Sequence, residues 1–414
     1  LAVLPDLRGK ASWPTQRWLD LAWLAALALL LAYTFSVYRS GRFCAYLGTD
    51  FRGYYAAAQI VRQRGFAAVY SQATQEFYQA NLPHQCPDST SAPPLLKVSM
   101  PYLPAFVVVF LPLTFLDFTT AYEVWVLLNL AGLLVYLLYL TAALGERASL
   151  LRSLQWMLCV PLFSNLVLGQ MNLVLVVCLG QFVLSILVGR RFLGGFWLGG
   201  MLMKPHALIL LLPGLVIRKD WKPLLGFTGS ALAILSISTL LAGWDGLGSS
   251  VQMAAEFAGP LIQTGPAMMN FRALALYLEN ILPVWGAWAV AICGMAMAAG
   301  LALYLWWRHY LATGPGFVLL VVATLAATFA VTWHSHFYLL MLLIPLLLFL
   351  DLKGVIPPAW RWFWIAGPPL LYLLLYLANP SQARSWFGLG MLAINLYILA
   401  WSAQRLRNAR RNPV

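Results

Sequence analysis

Apolar runs of about 20 residues return along nearly the whole chain, and that repetition constrains its fold more than any motif does. A helix that crosses a bilayer needs a run of that length, because in lipid every backbone N–H and C=O must be bonded within the helix itself. Of 414 residues 62% are hydrophobic and 9% are charged, against roughly 25% charged in a soluble domain. The reading is an all-α polytopic membrane protein, one transmembrane domain over 1–414 with about 12 membrane helices. The formal charge of +13 would suit nucleic acid, but Lys and Arg fall in short clusters between apolar runs, as they do in cytoplasmic loops. Nucleic-acid binding is excluded, and the lipid bilayer is the first partner.

Arg8, Lys10 and Arg17 place residues 1–17 in the cytoplasm, and no small-residue cleavage pattern follows the next apolar run. The first span then runs outward over 18–38. Residues 39–99 are the longest polar segment. Apolar and aromatic residues at helical spacing predict two interfacial amphipathic helices there, Phe51–Arg64 and Ser71–Leu82, a platform able to hold a lipid head group. Further spans are expected at 102–117, 121–144, 154–168, 171–188, 224–242, 284–306, 316–332, 337–350, 362–377 and 386–403. An apolar stretch at 194–217 is broken by Lys204-Pro205-His206, a second outer loop is expected at 243–280, and the basic tail 404–414 ends in the cytoplasm. One conflict remains. Charge puts the Arg147/Arg152, Arg190/Arg191 and Arg218–Lys222 loops all inside, whereas simple alternation puts the first two outside. Two short half-spans, 194–203 and 205–217, with Lys204 at the outer surface, would keep them inside, given a further irregularity near the second and third spans.

Cys159, Cys178 and Cys293 lie in apolar runs and read as small buried side chains. Cys44 and Cys86 both fall in the first outer loop; in an oxidising compartment they can form a disulfide, and two free thiols are the alternative.

Charged groups at membrane depth cost roughly 2.5–3.5 kcal/mol each and persist where they pair or serve a site. Lys204, beside a proline and near His206, is a candidate phosphate-binding charge, or else snorkels to an interface. Gln170 and Asn172 either bond sugar hydroxyls or glue helices together. In Trp333-His-Ser-His336 the two histidines stand at i, i+2 and do not share a helix face, so one of them orienting a carboxylate or an acceptor suits better than a metal pair. Arg272, in Asn270-Phe-Arg272, can clasp a phosphate or stand solvated in its loop. Asp50 can cap a helix, although no Glu or Gln follows three residues later, or act as a base. Tyr46, Phe51, Tyr54 and Tyr55 beside it offer aromatic faces on which sugars stack. The outer loops carry no dense Asp/Glu cluster, so no obligatory metal and no cofactor is expected.

In order and spacing, the segments GTDFRGYYAAAQ (48–59), PYLPAFVVVFLPL (101–113), GQMNLVLVV (169–177), GGFWLGGMLMKPHALILLLPGLVIRKDW (194–221), MNFRAL (269–274) and WHSHFYLLMLLIPLL (333–347) resemble membrane glycosyltransferases of the GT-C class. Glycosyltransferase family 87, the polyprenyl-phosphate-mannose-dependent mannosyltransferases, is the nearest likeness, over about residues 45–350. The resemblance implies an inverting transfer of a sugar from a polyprenyl-phosphate donor to a lipid or glycan acceptor, on the outer face of the cell (plasma) membrane. It maps the base to Asp50, a late histidine to His336 or His334, and a phosphate-binding lysine to Lys204. Trp333 departs from the small residue or proline of many relatives. Two other classes are a lipid-linked sugar flippase or transporter, which would show duplicated broken helices, and a non-catalytic scaffold, in which Asp50 and Lys204 would be dispensable.

Overall fold

The computed structural model describes residues 18, 22, 25, 29, 47–83, 98, 100–146, 150–257, 268–379 and 381–411. The first span, Cys44 with Cys86, and Tyr46 therefore lie in whole or nearly so outside the described residues. Among the described residues all regular structure is helical.

In chain order the helices are α1 (Thr49–Arg64), α2 (Gln72–Ala80), α3 (Pro104–Val107), α4 (Phe118–Ala143), α5 (Leu150–Met157), α6 (Val160–Leu168), α7 (Asn172–Leu187) and α8 (Arg191–Leu198). They continue with α9 (Leu211–Ile217), α10 (Trp221–Phe257), α11 (Phe271–Leu278), α12 (Val284–Arg308), α13 (Gly314–Val331), α14 (Ile344–Leu352), α15 (Ala359–Ala378) and α16 (Ala383–Arg411). Among the described residues five helices are long and apolar enough to cross a membrane, and α5 with α6, bent by 69°, makes a sixth. Four shorter apolar segments accompany them: Pro104–Phe115, Asn172–Leu187, Pro205–Ile217 and Phe337–Leu352. Five or six is fewer than the expected dozen. The expected first span falls outside the described residues, and other expected spans are short or interrupted by proline and 3-10 turns, such as Val108–Phe115 with Pro112 inside it.

Contacts at the helix ends sort the connections into two groups. Arg191 forms an ion pair with Asp220, and Arg218 Nε stands 3.8 Å from the same carboxylate. The chain from Arg191 to Asp220 therefore leaves and returns at one end, with Lys204 at its far turn. Lys353 reaches Glu146 at 3.0 Å, and Arg361 lies 3.7 Å from Asp351. The opposite end carries Asp50, Gly169, Lys204, Arg272 and the 332–336 connection. Phe118, which opens α4, packs there on Phe51.

Two expectations for the first loop need correction. α1 does not lie on a leaflet: from Phe51 to Ile60 it is buried except for Gln59, and only its last turn is exposed. Its small face, Ala56-Ala57-Ala58, lets neighbouring elements approach from all sides. Nor is 102–117 a regular spanning helix: α3 is followed by the 3-10 segment Val108–Phe115, and both ends of the stretch touch neighbouring residues of α1. At one end Tyr102 meets Tyr54, and at the other Leu116 O accepts the Tyr55 hydroxyl at 2.7 Å. The outer loop expected at 243–280 is also partly helical, because α10 turns at Gly243 (φ 72) and continues to Phe257.

Arg52 and the glutamines of α2 fasten this assembly. The buried Arg52 guanidinium donates to Gln79 O, Leu82 O and Pro83 O at 3.1, 3.1 and 2.6 Å. Gln79 brackets Val98, donating to its O at 2.8 Å and accepting from its N at 3.0 Å.

α1 meets α6 through two glycines. Gly48 N donates to Val167 O at 2.7 Å. Gly169 ends α6 with φ 70, and a Cβ there would stand 2.5 Å from the Phe51 Cβ. Tyr122 donates to Leu166 O and Val167 O, and Trp125 to Gly169 O, so the last carbonyls of α6 are satisfied from α4. Gly169→Ala should lower the melting temperature of the detergent-solubilised protein, with about 1–2 kcal/mol lost to the left-handed backbone alone before any clash. Gly229→Ala, inside α10 where nothing lies within 4 Å of the added carbon, is the control that does not lower it.

Candidate active site

Asp50 sits in the first turn of α1, where Gly48, in a left-handed conformation, is the N-cap. The carboxylate does not cap its own helix. Instead Oδ2 accepts from Gln170 Nε2 at 2.6 Å, across the contact that the two glycines make possible. Gln170 Oε1 in turn accepts from Lys204 Nζ at 2.8 Å and from the Tyr54 hydroxyl at 3.1 Å. Lys204 donates a second bond to Asn172 Oδ1 at 2.9 Å, and its ammonium lies 4.9 Å from the centre of the Tyr338 ring. Two amides and an aromatic face thus surround a lysine that the hydropathy pattern places among apolar residues.

The break that delivers Lys204 is local chemistry. The helical run ends in a 3-10 turn at Met203, Lys204 adopts φ −137 and ψ 75, and Pro205 opens the next turn. A residue before proline is pushed out of the helical region, so the side chain leaves the helix axis at that point.

The histidines arrive on the 332–336 connection after α13. The rings of His336 and Tyr338 stack at 5.3 Å, and the ring of His334 meets that of His336 at 4.9 Å. Asn270 ties the start of α11 to this connection: Oδ1 accepts from Ala273 N at 2.9 Å while Nδ2 donates to Thr332 O at 2.9 Å. Met269 N bonds Ser335 O at 3.0 Å. Arg272 is consequently carried to the same place, its guanidinium 4.4 Å over the Trp333 ring. His206 lies near enough to Lys204 and His334 to feel both charges, and its Nε2 is buried without a hydrogen-bond partner. The Nε of Arg272 and the Nδ2 of Asn172 are likewise buried and unpartnered.

The structure therefore gathers Asp50, Tyr54, Gln170, Asn172, Lys204, His206, Arg272, His334 and His336 at one end of the bundle. Tyr55 is not among them. Its hydroxyl is spent on Leu116 O and its ring packs on Phe51 and Phe118, so it holds the fold and offers no face to a sugar. Phe51, at 0% exposure, is equally withdrawn. Two residues that sequence reasoning passed over join the cluster. Tyr102 stands 3.4 Å from the Tyr54 hydroxyl, and Tyr338 covers Lys204. Each lies inside a segment already quoted, but no spacing distinguishes either from an ordinary core aromatic. Among the described residues no group of three or more His, Cys, Asp or Glu is placed to hold a metal.

Electrostatics set Asp50 apart. Burial raises its carboxyl to about 6, against the opposing pull of Lys204 and of the Gln170 hydrogen bond. His334 is moved the other way, to about 4, by burial and then by the charges of Lys204 and Arg272. Burial also lowers the Lys204 ammonium to about 7, against the pull of Asp50, so near neutral pH the site pairs a carboxylate weakly held in its charged form with neutral His334 and a lysine that releases its proton readily unless an anion holds it. Lys204→Met removes an attraction that favours the Asp50 carboxylate, so the carboxyl titration followed by infrared spectroscopy should move above about 6. A midpoint that stays in place would contradict this coupling.

No curated protein and no solved structure matches the chain. A family model does, described as glycosyltransferase family 87, over residues 101–333. The match takes in Gln170, Asn172, Lys204 and Arg272, while Asp50, His334 and His336 lie beyond its ends and reach them through the fold. Spanning more than half of the sequence, it shows that this multi-pass membrane chain belongs to glycosyltransferase family 87.

Proposed function

We infer that the protein transfers a sugar, mannose by the family resemblance, from a polyprenyl-phosphate donor to a hydroxyl of a lipid or glycan acceptor, with inversion at the anomeric carbon. The carrying observation is the Asp50–Gln170–Lys204 chain: a base and a cation held a single amide apart at one end of a helical bundle. Asp50 Oδ2 is engaged by Gln170, and Oδ1 is left to accept the proton of the acceptor hydroxyl as its oxygen attacks the anomeric carbon. The bond from that carbon to the phosphate oxygen breaks on the opposite face. A phosphodiester becomes a phosphomonoester, a leaving group that needs charge stabilisation more than a proton. Lys204 has spent two of its three N–H donors and keeps one for phosphate. The unpartnered Arg272 Nε and His206 Nε2 supply further donors. Tyr54 and the His334–His336 pair border the sugar, with His336 orienting the acceptor.

The distribution of charge supports an extracytoplasmic site on a GT-C-like bundle in the plasma membrane. Arg152, Arg190, Arg191, Arg218, Lys219, Lys222, Arg308, Lys353 and Arg361 belong to the end remote from Asp50, and basic loops stay in the cytoplasm. With 102–117 kept on the outer side and Lys204 at the turn between two short passes, alternation closes. The first span, α4, α5 with α6, α7, the two passes flanking Lys204, the first part of α10, α12, α13, the 337–352 segment, α15 and α16 make about 12 crossings with both termini inside.

Purified protein in nanodiscs should move radiolabelled mannose from a polyprenyl-phosphate donor to an acceptor lipid extract. Asp50→Asn should cut the rate by about 10²–10⁴. The parent rate should fall as pH drops through about 6, because the base works only when ionised. An Asp50→Asn protein as active as the parent would remove Asp50 from the chemistry. For the topology, a single cysteine at Asn280 should react with an impermeant reagent in intact cells, and one at Lys353 only after permeabilisation; the reverse pattern would invert the assignment.

A further inference from the structure

We propose that Gln170 is a positioning residue that holds the base Asp50 and the cation Lys204 apart while orienting both. The inference rests on the assignment of Asp50 as base. Asp50 and Lys204 form no direct ion pair; those among the described residues lie elsewhere. One side chain stands between them, and its two polar atoms face opposite charges: Nε2–H donates to the carboxylate at 2.6 Å, and Oε1 accepts from the ammonium at 2.8 Å. Only this orientation is tenable, because the flipped amide would turn its oxygen toward a carboxylate and its N–H groups toward an ammonium. The Tyr54 hydroxyl fills the remaining lone pair of Oε1 at 3.1 Å. Gln170 is 2% exposed, and with its oxygen doubly engaged it makes a poor sugar ligand.

The consequence is chemical. A carboxylate in contact with a lysine ammonium is a weak base, and a lysine so paired cannot turn to a phosphate. A neutral amide of this length keeps the attraction, fixes the angle of each group and leaves each able to engage a reactant. The ionisable groups that face Asp50 from the surrounding elements are Lys204 on the 203–205 break, Tyr54 on α1 itself, Tyr102 ahead of α3, and Tyr338 after the histidines. The three phenols stay neutral across the working range, so a change at residue 170 reports on the pairing of Asp50 with Lys204.

Two substitutions at this position should move the Asp50 titration in opposite directions. Gln170→Ala removes the spacer and lets Lys204 close on Asp50, and the direct ion pair, outweighing the lost amide hydrogen bond, lowers the midpoint. Gln170→Glu, of the same size, sets a second carboxylate against the first; the two share a proton, and the midpoint rises. The carboxyl band seen by infrared difference spectroscopy, assigned by its loss in Asp50→Asn, reads both shifts in full-length protein in nanodiscs whether or not the variants turn over. The acid limb of the transfer rate should follow wherever activity remains. Midpoints and limbs that stay at the parent value in both variants would overturn the proposal, even with reduced rates, since a packing or sugar-binding role alters rate or KM without moving that titration. If Gln170→Ala does not fold, Gln170→Asn, whose amide is one methylene too short to reach both groups, takes its place, with the same fall expected. Retention of full activity by Asp50→Asn would instead refute the base assignment, a failure distinguishable from this one.

Discussion

An ammonium group among apolar helices must be satisfied by the protein, and here the burden falls on Lys204. Leaving it unpaired would cost roughly 2.5–3.5 kcal/mol or more. Two amide oxygens and the face of Tyr338 meet the need. Each constrains a different part of the chain. Gln170 and Asn172 fix the turn between α6 and α7, Tyr338 fixes the segment after the histidines, and the Lys204-Pro205 break fixes where the 191–220 excursion turns back. Because Gln170 also binds Asp50, α1 is drawn into the same arrangement.

That arrangement explains why a loop helix is buried more thoroughly than several of the membrane helices. α1 must present Asp50 at the turn after α6, and it reaches that turn only where Gly48 and Gly169 remove side chains from the contact. The aromatic cluster of Phe51, Phe110, Phe118, Tyr122 and Trp125 then closes around it, with ring centres within 6.4 Å of Phe51. Segment 102–117 returns to α1 at both ends because that is where its aromatic residues are covered.

Much of this was legible beforehand. The break at Lys204-Pro205, the apolar runs and most of their boundaries within a few residues, and the GQMN turn follow from proline, glycine and hydropathy, which act locally; Asn270-Phe-Arg272, read as the end of a loop, instead opens α11. The fate of 102–117 and of Phe51–Arg64 did not follow. Hydropathy measures departure from water and does not distinguish lipid from the interior of a protein. A short apolar run broken by proline and a helix rich in alanine and tyrosine both score by composition, while their surroundings depend on contacts 48 to 120 residues distant. The same limit hid Tyr102 and Tyr338, and it made Tyr55 look equivalent to Tyr54. On a helix adjacent residues point about 100° apart, and only Tyr54 faces Gln170.

The charges of this protein therefore work in two separate populations. The carboxylate-paired basic residues at one end, Arg191 and Arg218 with Asp220 and Arg361 with Asp351, are neutralised by their partners far from Asp50. The cations of the other end, Lys204 and Arg272, are buried at 5% and 3% exposure and are met by amides, aromatic faces and backbone oxygens instead of carboxylates. Neutral partners satisfy a cation without cancelling its charge. In the proposed transfer an anionic phosphate entering such a site would meet cations that no contacting carboxylate has neutralised, since the single carboxylate nearby, Asp50, is held one amide away.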